Sequence, residues 1–181
     1  MKKNNPFIYG GPVPVDKFIG RRSIIRQMVS RIFSSGSSTA LIGDPRVGKT
    51  SILHYIKDKE KLTSLCGDFA SRLLIEIDAQ NLEKNISTQR FWEILIDSVI
   101  GEFKNELSVM EAYDACKLHN WTSFSLEKFF LELGIAKYKI VLLMDEFGSL
   151  LNHPTLHNAE FYGKLRSLAT RFESFVIVLA S

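Results

Sequence analysis

The chain has 181 residues, 45% hydrophobic and 24% charged, with 23 Lys and Arg against 20 Asp and Glu, a net charge of +3 and a pI near 8.8. That length supports one core burying roughly 70% of the unfolded surface, and cations scattered among nearly as many acids give little support for a nucleic-acid partner. Cys66 and Cys116 have no CxxC or Cys/His ligand spacing, which suggests neither a zinc site nor a disulfide framework and fits a reducing cytoplasm.

The N-terminus, MKKNNPFIYGGPVP, carries no apolar segment after its lysines, and no run approaches the ~18 apolar residues of a membrane span. Pro6, Pro12, Pro14 and the Gly10-Gly11 pair favour an extended strap over a helix. Residues 1–21 are therefore read as a strap and 22–181 as the core. Ile24, Ile25, Met28, Val29 and Ile32 repeat at helical spacing and predict a helix over Arg22 to Phe33, stopped by SSGSS at 34–38. Thr39-Ala-Leu-Ile-Gly43 is a short buried strand. A helix is predicted from Thr50 to about Leu62, a strand over 72–78, and a long helix over 88–107 with Trp92, Leu95, Ile96, Val99, Phe103 and Leu107 on one stripe. Another helix over 124–134 carries Phe124, Phe129, Phe130 and Leu133, and the aromatic stripe Phe91, Trp92 and Phe103 of the preceding helix reads as core. A strand over 139–146, a helix over 158–172 and a strand over 175–180 follow. Strands alternating with helices predict an α/β fold with a mostly parallel sheet covered on both faces.

Between the first strand and the second helix stands GDPRVGKT, residues 43–50. Gly43, Gly48, Lys49 and Thr50 satisfy the phosphate-loop pattern at every specified position. Glycines let the backbone approach an anion, and successive N–H groups at a helix head favour negative charge. Lys49 would reach the β- and γ-phosphates of ATP, and the Thr50 hydroxyl would hold Mg²⁺. The cradle runs through Asp44, Pro45, Arg46 and Val47 to Ser51; the Asp44 and Arg46 side chains are not specified by the pattern and read as a solvated turn.

Ile140 to Met144 followed by Asp145 and Glu146 supply a second element: an apolar central strand ending in two acids. Asp145 is placed to hold Mg²⁺, and Glu146 to orient and deprotonate the attacking water. His153 and His157 are four apart, but Pro154 and the flanking asparagines place them in a loop, not a metal pair.

The loop GDPRVGKT, the run IVLLMDE and the box Phe18-Ile19-Gly20-Arg21 together resemble the AAA+/STAND class of P-loop ATPases, in particular prokaryotic STAND-like and archaeal-type ATPase domains, over about residues 15 to 181. The resemblance implies a three-layer P-loop NTPase fold of the ASCE type. It implies that Phe18, Ile19 and Gly20 lie beside adenine, that strand 175–180 is inserted between the loop strand and the Asp145 strand, and that Ser181 is a sensor near the γ-phosphate, joining Lys49 and Glu146 in catalysis. The class continues with a fifth strand and a helical lid that bears an arginine; on this reading both lie beyond Ser181, strand 39–42 is a sheet edge, and turnover by this chain alone is weak. Arg166 and Arg171 are not in the usual position for an arginine finger. An arginine supplied in trans would make self-association through the nucleotide site part of the activity, alongside a protein partner or effector. The expected function is an ATP-dependent switch. The alternatives are a nucleotide-binding regulatory module without turnover and a small-molecule P-loop kinase, which does not need Glu146.

Overall fold

The computed structural model describes residues 11–67 and 71–181, with the Cys66 side chain excluded. The first ten residues of the strap, including Pro6 and Gly10, and the Cys66 thiol lie outside the described set. Four strands form one all-parallel sheet: β1 (Thr39–Leu41), β2 (Arg72–Asp78), β3 (Lys139–Asp145) and β4 (Phe175–Ala180), in the order β1-β4-β3-β2. The strand at 175–180 is thus inserted between the loop strand and the Asp145 strand, and β1 is an edge among the described residues, both as expected; β1 is not the buried strand expected over 39–43, since it ends at Leu41 with Ala40 exposed and Ile42 82% exposed.

β3 shows why this arrangement suits the sequence. It pairs with β2 and β4 and is buried on both faces, so Ile140 to Met144 form an unbroken apolar run. Alternate residues serve opposite layers. Val141, Leu143, Val176 and Val178 pack with α1 (Arg22–Val29), α2 (Lys49–Lys57) and α3 (Lys59–Cys66). Ile140, Leu142, Met144, Phe175 and Ile177 pack with α4 (Thr88–Asp97), α5 (Leu107–Leu118), α6 (Ser123–Ile135) and α7 (Ala159–Arg171). Trp92, Phe130 and Phe175 form the centre of that second layer, with ring centroids 4.6 to 6.3 Å apart. Glu76 of the edge strand β2 reaches α2 on the sheet face, where it accepts from Lys57 Nζ at 2.9 Å and lies 3.1 Å from His54 Nε2. Among the described residues no helix is long and apolar enough to cross a membrane.

Three helix assignments are corrected. The helix expected over Thr50 to Leu62 is two helices, because Asp58 leaves helical geometry and its carboxylate accepts from Lys61 N–H at 2.9 Å, capping α3. The helix expected over 88–107 ends at Asp97. Ser98, β-branched Val99 and Ile100, and Gly101 disfavour continuation, and a 3₁₀ turn over Ile100–Phe103 follows, which leaves Leu107 77% exposed and off the stripe. Phe124 is likewise 79% exposed; Leu126 takes its place beside Phe129, Phe130 and Leu133. Helix α5 was not expected, although its buried Val109, Ala112, Tyr113 and Cys116 follow the i, i+3, i+4, i+7 pattern. Burial pushes the Cys116 thiol up to about 11, against a hydrogen bond with Ser125 that lowers it, so it is a core side chain, not a nucleophile.

Removing the Phe175 ring, which is fully buried at the centre of the aromatic layer, should cost about 3 to 5 kcal/mol. Urea unfolding of Phe175→Ala measures this, and a loss below about 1 kcal/mol would contradict the packing described.

Candidate phosphate-loop site

A parallel sheet aligns the carboxyl ends of its strands on one rim, and ligands of open α/β sheets bind outside that rim. β1 delivers Gly43 there. The turn that follows uses two left-handed residues, Arg46 with φ 66° and Gly48 with φ 91°, and α2 begins directly after. A Cβ on Gly43 would lie 3.2 Å from the Val47 side chain, so the loop curls tightly on itself there. No side chain caps α2, and the N–H groups of Gly48, Lys49 and Thr50 have no acceptor among the described residues. Such unpaired N–H groups at a helix head form an anion-binding concavity.

The ammonium of Lys49 turns back into this loop. It donates to the carbonyl oxygens of Gly43 at 2.8 Å and Asp44 at 3.0 Å. Val47 N–H donates to Asp44 O at 3.4 Å, and the Asp44 and Arg46 side chains are exposed, as a solvated turn requires.

The rim of β3 carries the acids. Asp145 is 5% exposed, and its Oδ1 accepts from Glu146 N–H at 2.9 Å. Its Oδ2 makes no hydrogen bond among the described residues. The strand was expected to run through Glu146, but it ends at Asp145: Glu146 has φ 49° and ψ 40°, turns the chain, and its carbonyl accepts from Ser149 N–H at 2.8 Å. A left-handed conformation at a non-glycine residue costs about 1 to 2 kcal/mol, so the exposed Glu146 side chain is held by a strained joint.

Ser181 sits between the two halves. Its N–H donates to Leu41 O and its carbonyl accepts from Gly43 N–H, both at 3.2 Å, which binds the tip of β4 to the first residue of the loop. A Cβ on Gly148 would lie 3.0 Å from Ser181 Oγ, so the hydroxyl faces the turn that follows Glu146. Asp145 and Ser181 thus stand at the ends of neighbouring strands, Glu146 directly follows Asp145, and Lys49 and Thr50 open α2 beyond the end of β1, the next strand along the same rim.

Other expected residues take different places. Ser51 is 4% exposed and its hydroxyl accepts from Val13 N–H at 2.9 Å, so its side chain holds the strap on α2. Phe18 packs on Tyr55 with centroids 5.1 Å apart, Ile19 is 93% exposed, and Gly20 has φ 93°; these three with Arg22, Arg26 and Tyr55 line a cleft of about 480 Å³. Arg171 pairs with Glu127, away from the loop. His153 is buried in its turn: Nε2 meets Glu83 O at 3.1 Å and Nδ1 accepts from Leu156 N–H at 3.3 Å, so both ring nitrogens are engaged within the chain.

Two residues that the sequence reading passed over belong to the same surroundings. Tyr55, two turns along α2, supplies a cleft wall, and only the three-dimensional contact with Phe18 shows it. Asp78 ends β2 in register with Asp145, a position that an acid closing an apolar strand could have signalled. Its carboxylate accepts from Gln80 N–H at 2.9 Å and from Asn81 Nδ2. No protein-family model matches the chain, and no curated protein matches it.

If Glu146 is strained, Glu146→Gly should raise stability by about 0.5 to 1 kcal/mol, since glycine adopts left-handed geometry freely but loses more chain entropy on folding. Thermal and urea unfolding check this; a loss above about 1 kcal/mol would show that the Glu146 side chain outweighs the strain.

Proposed function

We propose that this chain is an ATP-binding core of the P-loop NTPase type, resembling the AAA+/STAND class, which uses Mg²⁺-dependent hydrolysis as a switch for an assembly or effector. The observation that carries the reading is the Gly43–Thr50 loop itself: unpaired N–H groups at the head of α2, with the Lys49 ammonium held on the loop's own carbonyls at 2.8 and 3.0 Å. Those contacts keep a cation in a ring of donors where a polyphosphate would otherwise supply the acceptors.

The roles follow from what each residue can exchange. Lys49 trades two carbonyl acceptors for phosphate oxygens, a charge-assisted pairing about twice as strong as a neutral one. The loop N–H groups hold the phosphate chain against α2. Glu146 is an exposed carboxylate that orients water and takes its proton, and the Ser149 N–H bond to its carbonyl holds the turn that carries it. The Ser181 hydroxyl is a neutral donor between loop and base. Thr50 Oγ1 and Asp145 Oδ2 are hard oxygen donors suited to Mg²⁺, which would neutralise phosphate charge. Two such oxygens would leave most of the cation's positions to phosphate and water.

Two substitutions test the reading. Lys49→Ala should weaken ATP binding by at least ~2 kcal/mol, measured by calorimetry on the folded variant; unchanged affinity would remove the loop as the site. Glu146→Gln preserves shape but cannot accept a proton, so nucleotide binding should persist while phosphate release falls by about 10²- to 10⁴-fold. Release that needs an added acceptor would select a kinase, and tight binding with no release in either form would select a regulatory module.

A further inference from the structure

Helix α6 carries a second apolar face. With a turn of about 100° per residue, Phe124, Lys128, Leu131 and Ile135 fall within about 60° of one another. The buried Leu126, Phe129, Phe130 and Leu133 occupy the opposite side, whereas Phe124 is 79%, Leu131 51% and Ile135 65% exposed. α7 stands between α6 and β1. Its Lys164 and Ser167 share a cavity with Ser123 and Glu127 of α6 and its Arg171 pairs with Glu127, while its Leu165, Arg166 and Ala169 face the β1 side. The stripe is therefore turned away from the sheet edge at which the resembled class continues.

Two charges lie on one flank of the stripe, a single turn apart. Lys128 is exposed and Glu132 half-buried, and neither side chain makes an ion pair among the described residues.

We propose that the α6 stripe is a dimer interface, on which a second copy of this chain packs its own α6 antiparallel about a two-fold axis. The stripe sets the register. An axis between Phe129 and Phe130 opposes Phe124 of each copy to Ile135 of the other and lays Leu131 against the aliphatic stem of Lys128. Like flanks meet in an antiparallel two-fold pair, so Lys128 stands about 1.5 Å along the helix axis from Glu132 of the second copy. Two reciprocal ion pairs then close the interface. A parallel pair would bring Lys128 to Glu127, whose carboxylate Arg171 already holds. This self-complementarity of charge selects a second copy over an unrelated apolar helix. One helix per copy is at the small end of specific interfaces, so the dimer forms in the micromolar to millimolar range. None of the residues assigned to nucleotide takes part, and the proposal does not depend on that reading.

Sedimentation equilibrium of the 181-residue chain from about 10 μM to about 1 mM reads the association. The chain should pass from monomer to dimer, and Leu131→Glu should hold it monomeric while an unchanged amide spectrum away from α6 shows that the variant folds. Lys128→Glu and Glu132→Lys should each weaken self-association by at least about threefold, because each homodimer then opposes like charges. An equimolar mixture of those two variants should associate at least as well as the original chain, since both reciprocal pairs are restored between unlike copies. The proposal is overturned by a chain that stays monomeric to about 1 mM, by a dimer that Leu131→Glu leaves intact, or by a mixture that associates no better than either single variant.

Discussion

The insertion of β4 between β1 and β3 is the constraint on which the rest of the structure depends. It puts the loop-bearing strand and the acid-bearing strand in one sheet with a single strand between them. Parallel pairing then aligns their carboxyl ends, so Gly43, Ser181 and Asp145 emerge at a common rim with no side chain needed to gather them. A parallel sheet must be covered on both faces, which is why Val141, Leu143, Val176 and Val178 alternate with Ile140, Leu142, Met144 and Ile177 between two apolar layers. The two main-chain bonds of Ser181 close the arrangement where it matters, at the first residue of the loop.

Three local features mark that rim. The α2 head keeps its N–H groups unpaired, a cation lies on loop carbonyls, and a glutamate is fixed in left-handed geometry at the end of the central strand. Of these, the left-handed Glu146 costs stability by itself. The strain at Glu146 of about 1 to 2 kcal/mol is a large fraction of what one helix cap contributes, about 1 kcal/mol. The strap is tied to the same helix, since Ser51, adjacent to Thr50, accepts from Val13 N–H.

What was legible in the sequence depended on range. The strand over 175–180 was placed correctly because a buried strand leaves a continuous apolar run that needs no knowledge of its neighbours, and the half-buried edge strand over 72–78 because Leu73, Leu74, Ile75 and Ile77 form a short apolar run broken only by Glu76. The phosphate-loop pattern and the Asp-Glu pair were legible for the same reason: each is a short, contiguous signal. Helix ends were harder. Asp58 reads as one more charge in KDKEK until its carboxylate is seen to accept from Lys61, and Gly101 was overridden by a stripe that continued in sequence but not in space. α5 was missed although its apolar spacing is regular, because exposed Leu107 and Leu118 blur the stripe. Of the site, the Ser181 to Gly43 bond, the engagement of Ser51 by Val13 and the Tyr55 wall join residues far apart along the chain, and no local pattern marks them.

The central claim is that the α2 head and its loop form a phosphate cradle, and amide chemical shifts during a Mg²⁺-ATP titration test it most directly. The account predicts saturable shifts centred on Gly48, Lys49 and Thr50, with smaller ones at Gly43 and Ser181, which share a main-chain bond. A titration that leaves these amides unmoved, or moves only residues remote from the strand rim, would contradict it.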